Sequence, residues 1–237
     1  MRGLARAGQI VAALRVQLLR RFRGRPKDAG LASDGEIDRL LRCLALPETP
    51  LVAQACALVD ELGPPALANH AYRTWAWGLF LGLRDGRSFD HESFALAALL
   101  HDLALPRRSG TSACFAADGA AQAQAELARW GAPREQQTCV GEAICLHLRT
   151  EVPVELGVEA HLVHAGAAVD LLGGGRLRAI PPRIRDHVLT TYPRGAVTSY
   201  LVERLARESA AHPDSRIALR VSLGFLKRIQ AASVEAP

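Results

Sequence analysis

His101 and Asp102 close an apolar run, Phe94-Ala95-Leu96-Ala97-Ala98-Leu99-Leu100, where titratable side chains are out of place. Two more stand in similar surroundings: His70 in Leu67-Ala68-Asn69-His70-Ala71-Tyr72-Arg73-Thr74, and Asp170 in His164-Ala165-Gly166-Ala167-Ala168-Val169-Asp170-Leu171-Leu172. Burying such a group unpaired costs on the order of several kcal/mol. A cation shared among them would remove that cost and create a site. Two neutral imidazoles and two carboxylates give mixed nitrogen and oxygen ligation, which suits zinc, iron, manganese or cobalt better than calcium. Four protein ligands with positions left open make a catalytic arrangement, in which the metal acidifies water into a nucleophile. A lone core histidine is usually just hydrogen-bonded; it is the ordered set of four that points to chemistry.

That order, His…His-Asp…Asp, resembles the HD superfamily of metal-dependent hydrolases. Further segments follow in the sequence expected of its cyanamide-hydratase-like branch: Asn69-His70-Ala71-Tyr72-Arg73-Thr74, Leu99-Leu100-His101-Asp102-Leu103, Asp118-Gly119-Ala120, Glu142-Ala143-Ile144-Cys145-Leu146-His147 and His164 to Asp170. Ala179-Ile180-Pro181-Pro182 and Thr191-Tyr192-Pro193-Arg194 also look like that branch, and the likeness covers roughly residues 50–215. It implies that His70, His101, Asp102 and Asp170 are the ligands, and that water is added to a small, nitrile-like carbon. The chain departs from the branch at Phe115-Ala116-Ala117, where an acidic residue is common, and in the basic segment Ala104 to Gly110. The rival reading within the superfamily is a phosphohydrolase acting on a nucleotide or other phosphomonoester. A diiron oxygenase of the same fold would need two more histidines, for which His147 and His164 are the candidates. A non-catalytic scaffold of the HD type is the remaining alternative.

Several other residues bear on the site. His147 ends an apolar run and could be a second-metal ligand, a proton shuttle or a substrate donor; otherwise it is a histidine stabilised at a helix C-terminus. Arg73 follows His70 by three residues and so shares its helix face, as an anchor for Asp102, Asp118 or a substrate, or as a surface charge. Asp118 reads as a substrate-site residue or merely an N-cap. His164 lies six residues before Asp170, about 120° around a helix, and is expected to face elsewhere unless a second metal is bound. Arg107 and Arg108 would suit an anionic substrate, or are exposed loop charges. Trp75 and Trp77 are expected to pack.

Proline and glycine punctuation supplies the elements that must position these groups. Helices are expected from Ser33 or Asp34 to Leu46, Pro50 to Leu62, Pro65 to Leu83 and Asp90 to Leu103. Others follow from Asp118 (as cap) to Trp130, Pro133 to His147, Val154 to Leu172, Pro182 to Thr191, Val197 to Ala211 and Ser215 to Ala232. No stretch alternates as a strand would, so the expected architecture is an all-α, HD-type helical bundle.

Charge sets the first residues apart. Residues 1–27 carry eight basic side chains and no acid, leaving 21 of the 29 basic residues against all 24 acidic ones in the remainder. The body therefore gives no hint of a nucleic-acid surface. Leu4, Ala7, Val11, Leu14 and Leu18 mark an amphipathic helix, too short in its apolar stretch to span a bilayer. Residues 1–32 thus read as a basic amphipathic arm and linker before a catalytic domain, 33–237. The arm is expected to dock on the body, or to contact an anionic membrane surface or partner. Five cysteines, with no C-x-x-C pair and no signal peptide, read as reduced thiols of a cytoplasmic protein. A homo-oligomer is compatible with the sequence, and the expected partner of the site is a small molecule.

Overall fold

Prolines and short polar caps start most of the helices where the sequence places them. In the computed structural model, which describes residues 34–106 and 114–232, α1 spans Asp34–Cys43, α2 Pro50–Leu62, α3 Pro65–Arg84 and α4 His91–Leu100. Then come α5 (Phe115–Arg129), α6 (Arg134–Leu146), α7 (Val158–Leu172), α8 (Gly174–Arg178), α9 (Pro182–Thr191), α10 (Val197–Ala211), α11 (Arg216–Ser222) and α12 (Phe225–Ala231). A 3-10 turn at Val154–Leu156 completes an all-helical fold, with no strand among the described residues. Thr49 caps α2 by accepting from the Val52 amide at 3.2 Å, and Asp90 caps α4 by accepting from Ser93 at 2.6 Å. None of the described helices is long and apolar enough to cross a membrane. The amphipathic arm, its linker, Arg107 and Arg108 lie outside the described residues.

Several boundaries differ from expectation for identifiable reasons. α5 begins at Phe115, because Cys114 takes the extended cap conformation and its carbonyl already receives the Asp118 amide at 3.1 Å. Asp118 therefore sits in the first turn, not at the cap. The helix expected from Val154 is broken at Gly157, whose φ of 110° only glycine adopts readily. The last expected helix splits into α11 and α12 at Gly224, with φ 81°. α1 stops at Cys43 rather than Leu46, and the short α8 occupies a stretch expected to be a loop.

α3 is the central strut. Fourteen of its twenty residues are buried, so it carries apolar side chains around most of its circumference. It crosses α7 at very close range through two glycines. A Cβ on Gly166 would collide with the Thr74 carbonyl oxygen, and one on Gly78 would lie 2.7 Å from the Leu162 carbonyl oxygen. This seam brings His70 and Arg73 of α3 against Asp170 of α7. Gly166→Ala must force the two backbones apart, and is expected to destabilise the protein by about 2–3 kcal/mol. A denaturant midpoint unchanged from wild type would refute this account of the seam.

The buried apolar residues form two clusters. The larger is built chiefly from α2 to α7 and α9. The smaller gathers Leu67, Leu105, Phe115, Leu148 and Leu171 around Leu201, Leu205, Ile217 and Phe225 of α10 to α12. Trp75 packs in the larger one as expected, with its indole N–H on the Leu44 carbonyl at 3.1 Å. The apolar walls of the candidate site come from the smaller cluster.

Candidate metal centre

His70 projects from the middle of α3, while His101 and Asp102 follow the last residue of α4. The helix was expected to run on through Leu103; instead it ends at Leu100, and the chain tightens, with Leu103 and Leu105 amides bonding three residues back. On a continuous helix, neighbouring residues diverge by about 100°. Here both side chains leave the helix edge and turn to the same point: His101 Nε2 lies 3.3 Å from Asp102 Oδ2.

The hydrogen bonds of the rings fix what that point offers. His70 Nδ1 is 2.7 Å from Asp170 Oδ2, and His101 Nδ1 is 2.8 Å from the Ala98 carbonyl. His147 Nδ1 is 2.6 Å from the Ile144 carbonyl, and His164 Nδ1 is 2.9 Å from that of His147. Every one of these partners is an acceptor, so each ring carries its proton on Nδ1 and, when neutral, presents a lone pair at Nε2. Those of His70 and His101 face each other at 3.3 Å, with Asp102 Oδ2 3.7 and 3.3 Å away respectively. Three acceptors thus converge with no N–H between them, and only a cation or an added proton reconciles them. The spacings match the edges of a polyhedron with arms of about 2.0–2.2 Å. The group could therefore hold a metal ion.

Electrostatics favour the ligating forms of His70 and Asp102, but not of His101. Burial pushes the His70 pKa down against the pull of Asp170, keeping its ring neutral. Burial also opposes charge on His101, but Asp102 overcomes it, and the His101 pKa rises. A proton therefore competes with the cation there. Asp102 is held well below the ordinary carboxylate range, because His101 above all outweighs its desolvation.

Asp170 does not join this group. The sequence placed it as the fourth ligand, whereas the structure sets it behind His70, on the ring nitrogen opposite the one facing His101 and Asp102. Its Oδ1 receives Arg73 Nε at 2.7 Å and Trp77 Nε1 at 3.1 Å, and its Oδ2 receives Arg73 Nη2 at 3.0 Å. Arg73 is fully buried and anchors Asp170, not Asp102 or Asp118. Its Nη1 donates to the Tyr192 and Pro193 carbonyls at 2.9 and 3.0 Å. Arg194 adds a bond from Nη1 to the Asp170 carbonyl at 2.8 Å. Burial would raise the Asp170 pKa, but Arg73 and His70 hold it far below the usual range.

The metal-competent group opens on a cavity of about 40 Å³. His147 and His164 both line it, with Phe115, Leu171 and Leu205 among the apolar walls. His147 Nε2 is 3.7 Å from Asp102 Oδ1, and burial, reinforced by His101, pushes its pKa down to about 3. His164 was expected to face away from the site and Asp170 into it; they are the other way round. Asp118 is not among the residues lining the cavity. Trp77 packs in the larger core cluster as expected, but its bond to Asp170 was not foreseen, and the sequence reading gave no role to Arg194 or Arg220. Arg194 lies in a segment that carried the resemblance, but Arg220, on the cavity wall, has no such signal. No protein-family model and no curated protein matches this chain.

Proposed function

We propose that this protein is a metal-dependent hydrolase or hydratase of the HD type, with a divalent transition ion (zinc, iron, manganese or cobalt) on His70, His101 and Asp102. The observation that carries the reading is the convergence of three acceptor atoms within 3.3–3.7 Å of one another, at rings whose other nitrogens are already engaged. The chemistry such a cation supplies is acidification of water, giving a nucleophile near neutral pH. Asp170 holds the His70 ring in its ligating orientation, as carboxylates behind metal-bound histidines do. His147, neutral at physiological pH with Nε2 towards Asp102, is placed to accept a hydrogen bond from a water or substrate group in the cavity. The apolar walls restrict bulk water. The cavity is small, about 40 Å³, which favours a small substrate over a nucleotide.

A second reading, with two metals as in a phosphohydrolase or diiron oxygenase, has one observation in its favour. Asp102 Oδ1 faces His147, so the carboxylate could bridge two cations if His164 joined. Elemental analysis of the purified full chain separates the readings. One equivalent of transition metal per chain is expected. Two equivalents would favour the dinuclear reading, and none after supplementation would favour a scaffold.

Residues 1–27 hold the chain's excess positive charge and none of the proposed ligands, so the arm is proposed as a peripheral contact with anionic membranes. Deleting it is expected to leave metal content intact, and to weaken binding to phosphatidylserine vesicles in a salt-sensitive way. Vesicle binding unchanged by the deletion would rule the contact out.

A further inference from the structure

One stripe of α7 lines the cavity. His164, Ala167, Ala168, Leu171 and Leu172 all border it, at the i, i+3, i+4, i+7 and i+8 spacing of a single helix face. From His164 to Leu172 that face extends about 12 Å along the axis. The metal-competent group stands beside its first part. His164 Nδ1 is bonded to the carbonyl of His147, whose ring reaches Asp102, and Asp170, between Ala168 and Leu171, holds His70.

Further along, the stripe is purely apolar. Its two alanines leave room, and Leu171 and Leu172 share the wall with Leu201 and Leu205 of α10 and Phe225 of α12. These residues belong to, or pack against, the smaller apolar cluster. Apart from Arg220, every polar residue of the described lining is in the metal-competent group or is one of the two histidines beside it. Arg220 is tied into the wall itself. Its Nη1 donates to the Leu148 and Arg149 carbonyls at 3.2 and 3.1 Å, and its guanidinium lies 4.0 Å over the Phe225 ring. A hydroxyl or amide placed along the leucines would lose its water without replacement, whereas a hydrocarbon group gains by leaving water.

We propose that the substrate carries a short aliphatic tail, seated along Ala167, Ala168 and Leu171 against Leu201 and Leu205, with its reacting end at His70, His101 and Asp102. For the reacting end this rests on the hydrolase reading; the apolar subsite is a property of the wall alone. Ala168 and Leu172, both half-buried at the cavity, set the length of tail that fits.

Calorimetric titration of the zinc-loaded full chain with alkyl hydroxamates tests it, because a hydroxamate anchors on zinc and leaves its tail to the wall. From acetohydroxamate to butyrohydroxamate, affinity is expected to rise by about fourfold for each added methylene. The rise should stop by octanohydroxamate, once the cavity of about 40 Å³ is filled. Butyrohydroxamate with a terminal hydroxyl is expected to bind more weakly than the parent compound. Ala168→Leu should shrink the advantage of butyrohydroxamate over acetohydroxamate, and Leu172→Ala should extend the rise to longer tails. The two variants act in opposite senses, so loss of fold in one leaves the other decisive. Equal affinity along the series would overturn the tail assignment and leave the metal reading standing. So would a hydroxyl-tipped tail that binds as tightly as the hydrocarbon. In the chelator-treated chain, n-butanol is expected to shift the methyl resonances of Leu171 and Leu205, and unmoved resonances would count against the subsite. A chain that takes up no zinc yet shows those shifts would retire the hydrolase reading and keep the apolar subsite.

Discussion

Asp102→Ala is expected to abolish metal retention and reduce any hydrolytic activity to background. Asp102 is the only carboxylate of the converging group, and its Oδ2 stands within 3.7 Å of both facing imidazole nitrogens. Without it, two neutral histidines remain, which is too few donors to compete with water for a divalent ion. The stability signature is specific. A ligand that binds only the native state stabilises it by mass action, by about 2.7 kcal/mol at a hundredfold excess over Kd. Added zinc should therefore raise the melting temperature of the wild type and leave that of Asp102→Ala unmoved. Without metal the two proteins should differ little, since removing the carboxylate also removes a buried charge. A variant that keeps one equivalent of metal by elemental analysis would eliminate Asp102 as a ligand.

What could be read from the sequence was what periodicity and punctuation encode. α2, α9 and α10 begin and end at the expected residues because prolines, caps and glycines act locally. Gly157 and Gly224 broke expected helices because their positive φ values are a tertiary outcome. His70, His101 and Asp102 were legible as polar groups in apolar helices, a conflict that only a partner resolves. The role of Asp170 was not. Spacing tells which residues share a face, but not which nitrogen of an imidazole a carboxylate meets. That depends on the close crossing of α3 and α7 at Gly78 and Gly166, which sets how far Asp170 can reach past the His70 ring. The same crossing brings Arg73 to Asp170, and once a guanidinium occupies both carboxylate oxygens, direct ligation is disfavoured. Arg220 was invisible for a simpler reason: the cavity joins helices separated by more than a hundred residues, and no local pattern reports that meeting.

The assignment of Asp170 as the orienting partner of His70 predicts a different outcome from loss of a ligand. Asp170→Ala leaves Arg73, with no exposed surface, as an uncompensated buried charge. It is expected to cost about 3–5 kcal/mol whether or not metal is present. Metal affinity should fall by about 10–100-fold, the usual effect of losing a group that orients a ligating histidine, without being abolished. The acid limb should change as well. Asp170 titrates below its ordinary range in the folded chain, so the unfolded chain binds more protons there. Its share of stability is thus present above the ordinary carboxylate pKa and is lost as pH falls below it, and Asp170→Asn should flatten that loss. Replacing both partners separates the roles. Arg73→Met/Asp170→Leu removes the ion pair together with its desolvation penalty, and is expected to recover most of the stability while metal affinity stays low. If Asp170→Ala instead lost metal as completely as Asp102→Ala, with a stability deficit seen only in added metal, Asp170 would have to swing round the His70 ring and ligate directly.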